Sequence, residues 1–253
     1  MPAPESREPA APTAHEAQAA HAIASNRVRV AGAMFCAAVF LVAALLARHG
    51  RVPGFDRSLT ARLVRTKGSA LFRFGDLVST VSSGPVAGGL AVAFGAVVWW
   101  RTRDLLLAAI TPVAGLLGAV TELVAKSAVS RLRPPTAVLT GESGNGFPSG
   151  HTTGFTALVV AALITLGLLG VRARTRRVAE IVAIVAAVTV ALSRVMVGAH
   201  YALDALAGLA LGALCALVTV IVAGVPAVAR VAQRVGTQLE RLDPRARSTA
   251  RSR

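Results

Sequence analysis

The chain has 253 residues, 54% of them hydrophobic and 4% aromatic, and its mean hydropathy is +0.62. Apolar residues arrive in long uninterrupted runs, which excludes an ordinary soluble domain and reads as a single all-α integral membrane domain. A net charge of +15 does not point to nucleic acid, because the arginines are scattered between apolar spans and in the tails, where anionic lipid headgroups are their expected partners. Cys36 and Cys215 both fall inside expected spans and support neither a disulfide framework nor a thiolate metal site.

Residues 1–27 are rich in Ala, Pro and Glu without apolar periodicity and are expected to form a disordered cytoplasmic tail with no cleavable signal peptide. A six-span membrane domain is expected over 28–229. Its first span, 30–47, is apolar throughout and flanked by Arg27, Arg29 and Arg48. The first loop, 48–83, carries seven cations against Asp56 and Asp76. Within it Phe55, Leu59, Leu63 and Val64 recur at helical spacing with Arg57, Arg62 and Arg65 between them, which predicts an amphipathic interfacial helix lying on the membrane surface. Asp76 is read as opening a second helical segment, which passes through Gly84 and Pro85 into a span ending at Trp99 and Trp100, residues suited to the membrane interface.

Arg101, Arg103 and Asp104 connect to the third span, 105–121, in which Pro112 is a kink. Glu122 and Lys126 lie four apart near its end and read as a local ion pair, with a catalytic role for Glu122 as the alternative. Pro134 and Pro135 stop the helix. A loop with Gly141, Gly144 and Gly146 then leads to Pro148, Ser149, Gly150 and His151 at the start of the fourth span, 152–171. Arg172, Arg174, Arg176 and Arg177 turn the chain back into the fifth span, 178–197, which carries Arg194 near its end. After Gly198 comes the sixth, 200–229. Residues 230–253 form a basic cytoplasmic tail with seven arginines.

Six spans put both termini on one side of the membrane. Of the 27 Lys and Arg residues, 16 fall on that side and 11 on the other, so the positive-inside rule places the termini in the cytoplasm and the opposite face outside the plasma membrane. Three polar stretches emerge together on that outer face: Lys126 to Pro134, Pro148 to His151, and Ser193 to Asp204. Charges at the ends of apolar spans are expensive and need a reason. Alone, Ser149 and Gly150 before a helix would be an ordinary turn and N-cap. Gathered with Lys126, Arg133 and Arg194, that helix N-terminus matches a tetrahedral phosphate. His200 and Asp204, four apart, are expected to share a helix face, so that the carboxylate accepts from one ring nitrogen and leaves the other as nucleophile or base. His151, at another helix end, can protonate a leaving oxygen. Two alternatives stay open at this level. One is a metal ion held by His151, His200 and Asp204, which the three cations oppose; the other is a polar helix–helix clamp of Arg194, His200 and Asp204.

The ordered pattern Lys-x6-Arg-Pro, Pro-Ser-Gly-His, Ser-Arg-x5-His-x3-Asp, filled here by Lys126, Arg133, Pro134, Pro148, Ser149, Gly150, His151, Ser193, Arg194, His200 and Asp204, resembles the type 2 phosphatidic acid phosphatase (PAP2) family, in its membrane-bound lipid phosphatase branch. The resemblance implies that His200 attacks phosphorus, Asp204 orients it and His151 protonates the leaving group. It also implies that Lys126, Arg133, Ser149, Gly150 and Arg194 hold the phosphate oxygens, with no metal or other cofactor. The function so implied is removal of the terminal phosphate of a lipid phosphate or diphosphate through a phosphohistidine. An outward-facing site favours polyprenyl diphosphate over phosphatidate-type lipids. The alternatives are a phosphotransferase using the same site and a non-enzymatic lipid-phosphate binder or transporter; an intact His200 and Asp204 speak against the latter. The expected partners are the lipid phosphate substrate and membrane lipids, not nucleic acid. Nothing in the sequence fixes an oligomeric state, and the signature assigns no role to the basic first loop or the tails.

Overall fold

The computed structural model describes residues 14–226, 228 and 231–235. Among them the chain forms α1 (Ala14–Ala47), α2 (Gly54–Leu63), α3 (Ala70–Val81), α4 (Gly84–Thr102), α5 (Leu105–Val129), α6 (Gly150–Leu168), α7 (Ala173–Met196) and α8 (Ala202–Ala223), with 3-10 turns at Arg48–Gly50 and Pro135–Thr140. Five segments are long and apolar enough to cross a membrane: Asn26–Gly50, Leu105–Val129, Gly150–Leu168, Ala173–Met196 and Ala202–Ala223. Counted together, α3 and α4, with a bend of 49° between them, make a sixth candidate span. Gly84 and Pro85 open α4, and the Ser82 hydroxyl donates back to the Val78 carbonyl at 2.8 Å, both features that interrupt a continuous helix ladder.

Several boundaries differ from expectation for local reasons. Residues 14–27, expected as unstructured tail, are helical in α1; the stretch contains six alanines, the strongest helix former. Residues 1–13 of that tail lie outside the described residues. So do 230 and 236–253 of the C-terminal tail, in which 231–235 are helical. Helix α3 begins at Ala70 instead of Asp76 because Ser69 caps it, accepting from the Phe72 N–H at 3.2 Å. Helix α5 runs on to Val129, so Glu122 and Lys126 lie within it. The charged turn after α6 is absorbed into α7, where Arg176 and Glu180 pair at 3.2 Å across one helical turn. Helix α8 stops at Ala223, with Gly224 as its C-cap and Pro226 beyond, short of the expected 229.

Packing inside the bundle depends on small residues. A Cβ added at Gly208 of α8 would lie 2.8 Å from the Ser149 carbonyl oxygen, and one at Gly212 would overlap the Thr153 carbonyl, so these glycines four apart let α6 and α8 approach backbone to backbone. Behind that contact Ile110, Ala114, Ala161, Ala216 and Val220 form a buried apolar cluster. The outer faces are the reverse: Phe35, Leu41 and Leu45 of α1 and Ile181, Val182, Ile184 and Val185 of α7 are exposed, a belt suited to lipid acyl chains. At the end of α4 the Arg101 guanidinium sits 5.0 Å from the Trp100 ring centroid, a pairing suited to the membrane interface.

The interfacial helix of the first loop is α2. Phe55 and Leu59 are exposed, but Leu63, expected on the same apolar stripe, packs against Ala191, Val195 and Ala205, and Asp56 and Thr60 are buried against the protein. The helix is thus anchored to the bundle through polar and apolar side chains alike.

Candidate active site

The ends of α5 and α7 and the beginnings of α6 and α8 meet at one end of the bundle, and the loop joining α5 to α6 closes over them. That loop is a closed structure. The Gly146 N–H donates to the Arg131 carbonyl at 2.7 Å, Leu132 and Asn145 form a bridge, and the Asn145 side-chain amide donates to the Lys126 carbonyl at 3.0 Å. The Thr136 hydroxyl donates to the Gly198 carbonyl at 2.8 Å, pinning the loop to the turn between α7 and α8. Gly198 has φ of 79°, and a Cβ there would meet the Thr136 side chain at 2.7 Å, so this turn requires glycine. In the same turn the Arg194 carbonyl accepts from both the Ala199 and His200 N–H groups, at 3.1 and 3.2 Å. His200 is therefore held in the turn, ahead of α8, and does not share a helical face with Asp204 in the way its spacing suggested.

His200 is buried, and Arg133 Nη1 lies 2.8 Å from its Nε2. A guanidinium only donates, so Nε2 must present its lone pair and the ring proton belongs on Nδ1. Nδ1 makes no hydrogen bond; the nearest Asp204 oxygen, Oδ2, is 3.7 Å away, beyond hydrogen-bond range. The expected histidine–aspartate hydrogen bond is thus poised but open. Asp204 has other partners: Oδ2 accepts from the Tyr201 N–H at 2.9 Å, and Oδ1 accepts from Arg131 Nη1 at 2.7 Å. Burial, reinforced by the Arg133 and Arg194 charges, holds His200 well below the usual imidazole range and keeps it neutral at pH 7.

Glu142 occupies the centre of the cationic group. Its Oε1 accepts from Arg194 Nη2, its Oε2 lies 2.6 Å from Arg133 Nη1, and Oε2 is 3.9 Å from His200 Nε2. Burial alone would push this carboxyl up, but the Arg194 and Arg133 guanidiniums outweigh it and hold Glu142 below the usual carboxylate range. Two carboxylate oxygens thus bridge the two guanidiniums that two oxygens of a tetrahedral anion would bridge. An open cavity of about 440 Å³ lies against the loop beside this cluster, with Leu132, Arg133, Ala137, Val138 and Glu142 in its lining.

Lys126 pairs with Glu122 at 2.6 Å, the ion pair their spacing predicts. The Glu122 carboxylate also fills the space beside Gly150, where a Cβ would overlap it, so the α6 N-terminus has a carboxylate against it. Ser149 is the N-cap of α6 by position, yet its hydroxyl makes no capping bond and instead accepts from Thr152 Oγ1 at 3.0 Å. Its N–H donates to the Asp204 carbonyl at 3.0 Å, tying the start of α6 to the start of α8. His151, half-buried in the first turn of α6, is under the electrostatic influence of the same Arg194, Glu142, Arg133 and Lys126 that act on His200. Lys126, Arg133, Ser149, Gly150, His151, Arg194, His200 and Asp204 accordingly all stand at this end of the bundle. Among the described residues no three His, Cys, Asp or Glu side chains are grouped as a metal site needs.

Three residues of the site were not singled out from sequence. Glu142 had a signal, being the only acid between Glu122 and Glu180, set in a glycine-rich loop. Arg131 stands two positions before Arg133 and was hidden by it. Asp56 was one acid among the seven cations of a loop read as membrane-facing.

Residues 105–225 match the PAP2 superfamily. Over 92 residues the chain is 37% identical to phosphatidylglycerophosphatase B of Bacillus subtilis (strain 168); the match covers 36% of this chain and 45% of that relative, so it spans less than half of the relative's length. The fold is like that in the crystal structure of the first transmembrane PAP2 type phosphatidylglycerolphosphate phosphatase from Bacillus subtilis, with a TM-score of 0.67 at 23% identity over 74% of this chain and 93% of that one. The segment that matches the PAP2 superfamily contains Lys126, Arg133, the turn into α6, Arg194, His200 and Asp204, so the likeness falls on the part of this multi-pass chain that builds the site.

Proposed function

We propose that the protein is a membrane lipid phosphatase that removes the terminal phosphate of a lipid phosphate or diphosphate through a phosphohistidine on His200. One observation carries the reading: a neutral His200 presents its Nε2 lone pair beside Arg133, which together with Arg194 already grips a carboxylate in the manner of a phosphate. Substrate phosphate displaces Glu142 and takes Arg133 and Arg194, which frees Nε2. Nε2 then bonds to phosphorus as the phosphorus–oxygen bond to the lipid breaks, and His151 gives the leaving oxygen its proton. The ring gains charge as the bond forms, and Asp204 Oδ2 receives the Nδ1–H. Lys126, the Ser149 hydroxyl and the Gly150 N–H stabilise the remaining oxygens, a task of positioning and electrostatics. The oxygen of water then bonds to phosphorus as the Nε2–phosphorus bond breaks, His151 takes the water proton and so regains the one it gave, and phosphate leaves.

The name of the Bacillus subtilis relative supports a glycerolipid phosphate monoester such as phosphatidylglycerophosphate as one substrate to test. A site on the outer face of the plasma membrane supports polyprenyl diphosphate as the other. The test is phosphate release by purified protein from phosphatidate, phosphatidylglycerophosphate, polyprenyl phosphate and polyprenyl diphosphate, with EDTA in excess. Release that requires His200 and survives chelation is expected. A folded protein that releases phosphate from none of them, or that needs a divalent ion restored, would overturn the reading. Sidedness is tested in a background lacking Cys36 and Cys215: Ser143→Cys should react with an impermeant reagent in intact cells and Thr175→Cys should not, and the reverse pattern would turn the protein over in the membrane.

A further inference from the structure

The first loop, to which the signature assigns nothing, reaches the reaction centre through a buried chain of charges. Asp56 of α2, Arg131 and Asp204 are each 0% exposed. Arg131 Nη2 donates to Asp56 Oδ2 while Nη1 donates to Asp204 Oδ1 at 2.7 Å, so one guanidinium bridges two carboxylates that are 148 residues apart in sequence. Its face also lies 4.5 Å from the Tyr201 ring centroid, which leaves it little freedom to move. Helix α2 holds the start of α8 as well: Asp56 Oδ1 accepts from the Leu203 N–H at 2.9 Å and Thr60 Oγ1 from the Ala202 N–H at 3.0 Å. With the Tyr201 N–H donating to Asp204, three N–H groups at the N-terminus of α8 are satisfied by side chains, two of them from α2.

These contacts decide what Asp204 can do for His200. Its Oδ1 is fully engaged by Arg131, and only Oδ2 is directed to Nδ1, at 3.7 Å. Without Asp56, Arg131 would pair with Asp204 alone, one charge against one, and draw the carboxylate away from the imidazole. With Asp56 in place the guanidinium is shared and Asp204 keeps the negative character that receives the Nδ1–H. We propose that Asp56, acting through Arg131, is a positioning residue for the Asp204–His200 pair, which makes the first-loop helix a working part of the reaction centre. This rests on the phosphatase reading above.

The test uses the full chain in detergent or reconstituted bilayers, with active sites counted by trapped phosphoenzyme. Asp56→Asn keeps the shape and the acceptor for Leu203 while removing the charge. It is expected to lower kcat per competent site about 10- to 100-fold, the range for a lost charge-assisted hydrogen bond, with KM within about twofold. Because the effect runs through Arg131, Asp56→Asn should add little in an Arg131→Lys background, where the bridge is already broken. A merely structural role would lower the yield of competent sites and leave kcat per site unchanged. That result, or two effects that simply add, would overturn the proposal. If wild type hydrolyses no lipid phosphate, the phosphatase reading fails separately, and the positioning claim is then read from the nitrogen-15 signals of the His200 ring, assigned by their loss in His200→Ala. Asp56→Asn should shift them, and an unshifted pair of signals would overturn the claim.

Discussion

Two arginine–carboxylate clusters meet at His200 and Asp204, and they differ in access. In one, Glu142 bridges Arg133 and Arg194 with its own side chain 25% exposed and Arg133 12%, while Arg194 is 2% exposed. In the other, Arg131 bridges Asp56 and Asp204, with no exposure at any of the three. The same chemistry therefore has two uses. An ion pair open to water and ligand contributes little on its own and can be exchanged, whereas a fully buried one cannot lose a partner without leaving a bare charge in the interior. In the proposed reaction the first cluster is the one that phosphate displaces, and the second holds its geometry while that happens.

The largest effect belongs to the residue between them. His200→Ala should lower turnover by at least about 10⁴-fold and abolish trapped phosphoenzyme, since it removes the lone pair that Nε2 presents beside Arg133. Retained phosphoenzyme would move the nucleophile elsewhere and dissolve the comparison. Next comes the buried cluster. Arg131→Met should destabilise the protein by about 3–5 kcal/mol, because Asp56 and Asp204 are left as unpaired buried carboxylates. Denaturation in mixed detergent checks this, and a loss under about 1 kcal/mol would mean the cluster is wetter than the structure describes. The exchangeable cluster should respond in binding instead of stability. Arg194→Gln should weaken vanadate, which imitates five-coordinate phosphorus, by about 10- to 100-fold, the loss of a charge-assisted hydrogen bond. Unchanged vanadate affinity would remove Arg194 from the anion cradle.

The six-span plan and the gathering of three motifs on one face were legible because they follow from hydropathy, span parity and local spacing. The second span was expected to pass through Gly84 and Pro85, and the 49° bend between α3 and α4 falls there. Less legible was whatever depends on a side chain meeting a distant partner. Asp56 and Arg131 are 75 residues apart, and a one-dimensional pattern marks Asp56 only as a charge in an amphipathic helix. The spacing of His200 and Asp204 suggested a helical pair, but Gly198 and the doubly used Arg194 carbonyl place His200 in the turn, which opens the contact to 3.7 Å. The resemblance implies that Gly150 helps to hold the phosphate, whereas the Glu122 carboxylate that lies against it depends on how closely α5 packs against α6.

The smallest and most discriminating change is Glu142→Gln. If Glu142 merely occupies the phosphate position, removing its charge leaves Arg133 and Arg194 less well paired and should raise vanadate affinity. A partly exposed ion pair is worth up to about 1 kcal/mol, so the gain should be no more than about fivefold. The pH dependence gives a second check. Despite burial, Arg194 and Arg133 hold the folded-state pKa of Glu142 below the usual carboxylate range, so the group stays ionised throughout pH 5–8. Its contribution to stability is present above the unfolded-state value and is lost only as pH falls through the lower folded one. The ratio of variant to wild-type vanadate affinity, in which the ligand's own ionisation cancels, should therefore be flat across pH 5–8 and approach one only in more acid solution. A variant that binds vanadate more weakly than wild type would show that Glu142 helps to hold the anion, and the open cluster would then be as permanent a fixture as the buried one.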